Sequence, residues 1–89
     1  MVEHRTIRVS GRVQGVFFRR SAKRKADELG IVGFVRNDPD GSVALEAEGD
    51  HAALDAFVAW CHDGSEFANV ERVIVEDGTP KHFKDFTAR

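Results

Sequence analysis

The stretch Gly11–Arg19, GRVQGVFFR, joins a strand-like segment to a helix-like segment through a glycine-containing turn, and it ends on an arginine. Before the turn, apolar and polar residues alternate from Ile7 to Val13, which is the pattern of a half-buried strand. After the turn, apolar residues recur at helical spacing at Phe18, Ala22, Ala26 and Leu29. The stretch therefore predicts the strand, turn and helix with which the fold begins.

The turn between this strand and this helix contains the parts of an anion-binding site. A turn of this kind can aim several backbone N–H groups at one point. The start of the helix adds free N–H groups and the positive end of the helix dipole. Arg19 adds a planar fork that matches phosphate oxygens. These parts predict a phosphate-sized cradle, but a simple tight turn followed by a solvated arginine would contain the same residues.

The rest of the chain continues to alternate between strand and helix periodicity. Two strand-like runs, at 31–37 and 43–47, flank the strong turn signal Asp38-Pro39-Asp40-Gly41. A second helix-like segment follows, with apolar residues at the i, i+3, i+4 and i+7 positions. A β-branched run at 70–76 and a possible short strand at 83–87 complete the chain.

This order of elements, β-α-β-β-α-β with a possible short extra C-terminal strand, limits the choice of architecture. An antiparallel sheet with both helices on one face satisfies the order. We therefore predict an α+β fold, a ferredoxin-like α/β sandwich, as a single domain over residues 1–89. This fold hosts many unrelated functions, so it does not identify the activity.

Composition excludes several classes of protein. The 89 residues carry a formal net charge of -2 at pH 7, whereas a dedicated nucleic-acid-binding domain is usually basic. Cys61 is the only cysteine, which excludes an internal disulfide. The four histidines show no metal-ligand spacing, so we predict no metal and no cofactor. With no apolar span or signal peptide visible, we expect a cytoplasmic monomer that binds neither membrane nor nucleic acid.

A group of cations follows Arg19 on the predicted helix, at Arg20, Lys23, Arg24 and Lys25. A solvated helix face explains this group most simply. The alternatives are electrostatic steering of anionic substrates and a nucleic-acid-binding surface.

Asn37 closes the second predicted strand just before the turn. A carboxamide at this place can orient a water molecule through its oxygen while it donates from its nitrogen. From its spacing alone, Asn37 is explained more simply by a local Asx turn with the residues that follow.

Two segments of the chain resemble the signatures of the acylphosphatase family. Gly11–Arg19 follows the pattern G-x-V-Q-G-V-x-F-R of the first signature. Gly33–Asn37, GFVRN, resembles the start of the second signature, and Gly41, Val43 and Gly49 follow at the family's spacing. Each occurs once, in the family's order, and the resemblance covers nearly the whole chain.

The resemblance implies an enzyme that hydrolyses the carboxyl–phosphate bond of acyl phosphates to a carboxylate and inorganic phosphate without a metal. It also implies the ferredoxin-like fold. It assigns phosphoryl binding to Arg19 and positioning of the attacking water, for in-line attack, to Asn37. It assigns a phosphate-binding loop of backbone N–H groups to Gln14, Gly15, Val16, Phe17 and Phe18. The alternative is a non-catalytic phosphate- or carboxylate-binding module of the same fold.

Two further expectations concern the surroundings of the predicted site. Asp38 follows Asn37 at a position where related proteins often carry an uncharged side chain, and a carboxylate there would repel phosphate unless it points away. The carboxylate of Arg89, soon after the last predicted strand, is expected to approach the cradle and pair with Arg19.

Overall fold

Seven elements form the protein in the computed structural model, which describes residues 1–89. They are β1 (Glu3–Arg12), α1 (Phe18–Leu29), β2 (Val32–Asn37), β3 (Val43–Gly49), α2 (His51–Asp63), β4 (Asn69–Gly78) and β5 (Phe86–Ala88). The strands form one sheet in the order β4-β1-β3-β2-β5. The predicted α+β sandwich is confirmed, with β1 and β3 adjacent in its centre.

The four main strands pair antiparallel, as predicted, and the extra C-terminal strand makes the sheet mixed. The pairs β1–β3, β1–β4 and β2–β3 are antiparallel, but β2 and β5 are parallel. The predicted extra strand is shorter than expected, because only residues 86–88 pair with β2. Main-chain N–H groups of the connection before β5 donate hydrogen bonds to Glu48 of β3.

The core lies between the sheet and the two helices, as the apolar periodicities predict. The sheet contributes alternate residues of its central strands, including Ile7 and Val9 from β1 and Leu45 from β3, all fully buried. The buried residues of the helices are Phe18, Ala22 and Ala26 in α1 and Leu54, Phe57 and Cys61 in α2. Asp50 caps α2 by accepting a hydrogen bond from the Ala53 N–H at 3.1 Å. Neither helix has the length and apolar character needed to cross a lipid bilayer.

A β-bulge in β1 directs the chain from the sheet into the turn before α1. The pairing register of β1 with β4 shifts between Ser10 and Gly11. Gly11 has φ of 121°, and a Cβ on it would lie 2.3 Å from the main-chain oxygen of Asn69. Only glycine fits this bulge, so the first glycine of the opening motif is required by the approach of β4.

A buried carboxylate holds the connection between β4 and β5 against the outer face of the sheet. Glu48 of β3 is fully buried, and its side chain accepts hydrogen bonds from the main-chain N–H groups of Lys81, His82 and Phe83. Its Oε2 also lies 2.6 Å from Nδ1 of His4. Burial raises the pKa of Glu48, but these hydrogen bonds outweigh burial and hold the pKa below its ordinary value.

Candidate active site

Helix α1 begins without a side chain that caps its N-terminus. Its N-cap residue, Phe17, has φ of 62° and ψ of 25°, in the left-handed region, and the first turn contains no acidic residue. The first main-chain bond of the helix runs from the Ser21 N–H to the Phe17 oxygen at 3.0 Å. The N–H groups that precede this bond are available, with the positive end of the helix dipole, to bind an anion.

The loop before α1 is held from two sides by side chains. Gln14 donates from Nε2 to the main-chain oxygens of Asp38 and Ser42, at 2.8 and 2.9 Å. Ser65, in the connection after α2, donates from Oγ to the main-chain oxygen of Val16 at 2.6 Å. Val16 is itself buried, at 4% exposure. The loop conformation is therefore set by residues distant in sequence, as a preorganised binding loop requires.

A cavity of about 490 Å³ opens beside this loop. Its walls are Val13, Gly15, Phe17, Phe18, Arg19, Arg20, Lys23, Asn37 and Ala88. The structure thus brings Arg19 and Asn37 to one cavity together with three of the five predicted loop residues. The other two, Gln14 and Val16, do not line it, and the contacts just described show that they support the loop from behind.

Asn37 ends β2 at the wall of this cavity, opposite Val43 in the β2–β3 register. Its Oδ1 is buried and has no hydrogen-bond partner within the protein. The simpler alternative of an Asx turn at Asn37 is wrong, because its Oδ1 accepts no main-chain hydrogen bond. The turn is closed by main-chain bonds from the Asp38 N–H to the Ser42 oxygen at 2.9 Å and from the Gly41 N–H to the Asp38 oxygen at 3.1 Å. A buried amide oxygen without a protein partner is suited to hold a water molecule or a ligand donor.

Arg19 lines the cavity, and its guanidinium makes one hydrogen bond within the protein. Its Nη1 donates to the main-chain oxygen of Arg89 at 2.5 Å, in agreement with the expected approach of these two residues. The Arg89 N–H in turn donates to the Val35 oxygen at 2.8 Å. This contact orients the fork of Arg19 and leaves its remaining N–H donors for an anion.

The carboxylate of Asp38 is paired with two arginines and does not line the cavity. Its Oδ2 accepts from Nη1 of Arg8 at 2.9 Å, and its Oδ1 accepts from Nε of Arg36 at 3.0 Å. Asp38 is not part of the cavity wall. The expected condition, that this carboxylate points away from the phosphate site, is therefore met.

Two features of the site have no local signal in the amino-acid sequence. No local residue preference predicts the left-handed conformation of Phe17, because phenylalanine does not favour positive φ. The contact between Ser65 and Val16 spans 49 positions, which no local pattern encodes. A glycine, asparagine or aspartate at position 17 would have been a local signal for that turn geometry.

Comparison with known proteins extends over almost the entire chain. Residues 5–88 match the sequence profile of the acylphosphatase family. A protein of a Nocardioides species that is named acylphosphatase is 55% identical over 83 residues, which cover 93% of this chain and 84% of that protein.

Two solved structures show the same fold at substantial sequence identity. An acylphosphatase from Coxiella burnetii superposes with a TM-score of 0.96 at 36% identity, over 99% of this chain and 93% of that chain. An acylphosphatase from Bacillus subtilis superposes with a TM-score of 0.93 at 37% identity, over 100% of this chain and 99% of that chain. The matches in sequence and in fold therefore cover the residues that form the cavity.

Proposed function

The chain belongs to the acylphosphatase family, and from this membership we propose that the cavity beside α1 is its catalytic site, with Arg19 and Asn37 as the catalytic residues. The chain hydrolyses the carboxyl–phosphate bond of acyl phosphates to a carboxylate and inorganic phosphate. One observation carries the assignment of the site. A single cavity is lined by a guanidinium, by the uncapped start of a helix and by an asparagine whose buried oxygen is unpartnered.

The phosphoryl group of the substrate is bound by Arg19 and by backbone N–H groups of the loop Gln14–Phe18 and the start of α1. Transfer of a phosphoryl group spreads negative charge over its equatorial oxygens. Fixed donors at those oxygens stabilise the transition state without reorganising during the reaction. Because the loop is held by Gln14 and Ser65, its donors are positioned before the substrate arrives.

The attacking water is positioned by Asn37. Its Oδ1 accepts a hydrogen bond from the water and directs the water oxygen at phosphorus, opposite the leaving carboxylate. An amide cannot accept the water's proton, so that proton passes to a non-bridging phosphate oxygen of the substrate. The new P–O bond forms as the bond between phosphorus and the acyl oxygen breaks. The carboxylate leaves as a stable anion and needs no general acid.

The assignment is tested by hydrolysis of benzoyl phosphate, with EDTA present, by the wild type, Arg19→Ala, Asn37→Ala and the control Arg24→Ala. Arg24 is an exposed arginine of α1 outside the cavity wall. We expect Arg19→Ala and Asn37→Ala each to lower kcat/KM by about 10²–10³, the usual effect of removing one preorganised group. Arg24→Ala should retain wild-type activity.

Titration with inorganic phosphate separates the two roles. Arg19→Ala should weaken phosphate binding, whereas Asn37→Ala should bind phosphate as the wild type does. Circular dichroism spectra establish that the variants are folded. Folded wild type with no turnover above the blank would instead identify the site as a non-catalytic phosphate-binding module. Full activity of either variant would refute its assigned role.

We further propose that the protein acts as a single cytoplasmic domain, as a monomer, on a small acyl phosphate, without a nucleic-acid or membrane partner. The net charge of -2 supports the exclusion of nucleic acid. Two of the cations of α1 are also paired within the helix, Lys23 with Asp27 at 2.9 Å and Lys25 with Glu28 at 3.6 Å. Oligonucleotide binding that weakens steeply with salt would contradict this proposal.

A further inference from the structure

Phe17 combines a disfavoured backbone conformation with an exposed side chain. Its φ of 62° places it in the left-handed region, which phenylalanine rarely adopts. Its side chain is 62% exposed, whereas its neighbours Val16 and Phe18 are 4% and 2% exposed. Glycine would adopt the same backbone conformation without strain. Neither local conformational preference nor packing accounts for a phenyl group at this place.

The phenyl group of Phe17 lies at the wall of the cavity that holds Arg19 and Asn37. The cavity, at about 490 Å³, is larger than a single phosphate group requires. Its apolar walls are Phe17, together with Val13, Phe18 and Ala88. The space that phosphate does not occupy is therefore bordered by an apolar surface, of which Phe17 is the exposed aromatic part.

Of the cations near this surface, Lys23 is paired within the protein and Arg20 is available to a negatively charged acyl group. Lys23 lines the cavity, but its Nζ lies 2.9 Å from Oδ2 of Asp27, which compensates its charge. Arg20 also lines the cavity and makes no ion pair within the protein. Its charge is therefore the one feature that would favour a carboxylate-bearing acyl group over an apolar one. An exposed aromatic ring next to a cation is a surface on which a flat apolar group can stack.

We propose that Phe17 contacts the acyl group of the substrate and gives the enzyme a preference for acyl phosphates with a flat, aromatic acyl group over small or carboxylate-bearing ones. This inference rests on the proposed function of the same cavity and adds the class of acyl group. With the phosphate held by the loop and Arg19, the acyl group extends outward from the cradle along the phenyl ring. The strained backbone at Phe17 places the ring there.

The first experiment compares kcat/KM for benzoyl phosphate and acetyl phosphate in the wild type, Phe17→Gly and Phe67→Ala. Glycine fits the left-handed backbone, so Phe17→Gly removes the ring without adding strain. Phe67 is a matched control, since its side chain is 63% exposed and lies outside this cavity wall. We expect the ratio of kcat/KM for benzoyl phosphate to kcat/KM for acetyl phosphate to fall about tenfold in Phe17→Gly, because a ring contact is lost. The ratio should stay unchanged in Phe67→Ala.

The second experiment does not depend on turnover. Benzylphosphonate, methylphosphonate and phosphonoacetate are titrated into the wild type and Phe17→Gly by calorimetry. The wild type should bind benzylphosphonate most tightly, and Phe17→Gly should lose more affinity for benzylphosphonate than for methylphosphonate or inorganic phosphate. If the wild type fails to hydrolyse any acyl phosphate but shows this pattern, the proposed function fails and the contact at Phe17 stands.

Three results would overturn the inference. One is an unchanged substrate ratio in Phe17→Gly. Another is an equal loss for benzoyl phosphate, acetyl phosphate and inorganic phosphate, which would show that Phe17 only shapes the loop. The third is tighter binding of phosphonoacetate than of benzylphosphonate, which would assign the acyl preference to Arg20 and not to the ring.

Discussion

Replacement of Glu48 by glutamine should destabilise the protein more than any other change of a single carboxylate. The Glu48 side chain is fully buried and receives three main-chain N–H groups of the β4–β5 connection as well as Nδ1 of His4. Two of these donors reach Oε1 and two reach Oε2. A carboxamide offers an oxygen at only one of the two positions, so its NH₂ group faces donors at the other.

The magnitude follows from this count of donors. A hydrogen bond to a charged group contributes about 1.5–3 kcal/mol, and a buried donor left unpaired costs about 1–3 kcal/mol. His4 can offset part of the loss by changing its tautomer, because a neutral imidazole nitrogen accepts from the NH₂ group. A net loss of about 3 kcal/mol remains. For a domain of this size it lowers Tm by about 12–24 °C.

Urea and thermal denaturation of the wild type, Glu48→Gln and Glu76→Gln measure this effect. Glu76 is an exposed carboxylate of β4 without a hydrogen bond or ion pair. The free energy of unfolding of Glu76→Gln should therefore lie within about 0.5 kcal/mol of the wild-type value. A Glu48→Gln protein that is as stable as the control would refute the reasoning. It would show that the connection does not depend on the buried charge.

The same carboxylate predicts a dependence of stability on pH. The pKa of Glu48 is held below its ordinary value in the folded protein, so the unfolded chain binds the proton more readily. The stabilisation is therefore present above the ordinary glutamate pKa, about 4.3, and is lost as pH falls through the folded-state pKa. The difference in unfolding free energy between wild type and Glu48→Gln should shrink below about pH 4. A difference that stays constant with pH would contradict this linkage.

Three other outcomes follow from single residues. Gly33→Ala should lower the free energy of unfolding, measured by urea denaturation, by at least about 3 kcal/mol. Gly33 has φ of 142°, and a Cβ there would lie 1.9 Å from the main-chain oxygen of Glu46. Burial raises the pKa of the Cys61 thiol to about 12, so a disulfide reagent at pH 8 should modify it only after unfolding in urea. Gln14→Ala should lose about 1–2 kcal/mol of stability with its two hydrogen bonds, and its kcat/KM for benzoyl phosphate should fall because the loop loosens.

Local periodicity was sufficient for most of the fold. The periodicity of apolar residues every three to four positions predicts the helices, and the alternation of apolar and polar residues predicts β1 and β3. The β-rich composition of residues 31–37 predicts β2. The alternation in β3 also places Glu48 on the outer face, which would ordinarily be solvated. The prediction stops there, because alternation reports which face a residue is on and not what covers that face.

The last strand illustrates the same limit. A strand over 83–87 was expected, but Phe83 lies outside β5. Its N–H donates to Glu48, and its ring packs edge-on against Phe34 at 5.8 Å between centroids. The first part of this segment thus packs on the outer face of the sheet and does not pair as a strand. Residues 86–88 pair parallel to β2, and the packing of Phe83 sets the position from which they begin.

The sequence by itself determined the order of the elements, the buried faces of β1, β3 and the two helices, and the two motifs that contain Arg19 and Asn37. These follow from neighbours a few positions apart, whose spacing is visible along the chain. Only the tertiary structure decided that both residues line one cavity, that Ser65 holds the loop and that Phe17 presents an exposed ring there. Such features arise from contacts between segments distant in sequence, and their geometry exists only once the sheet and helices have packed.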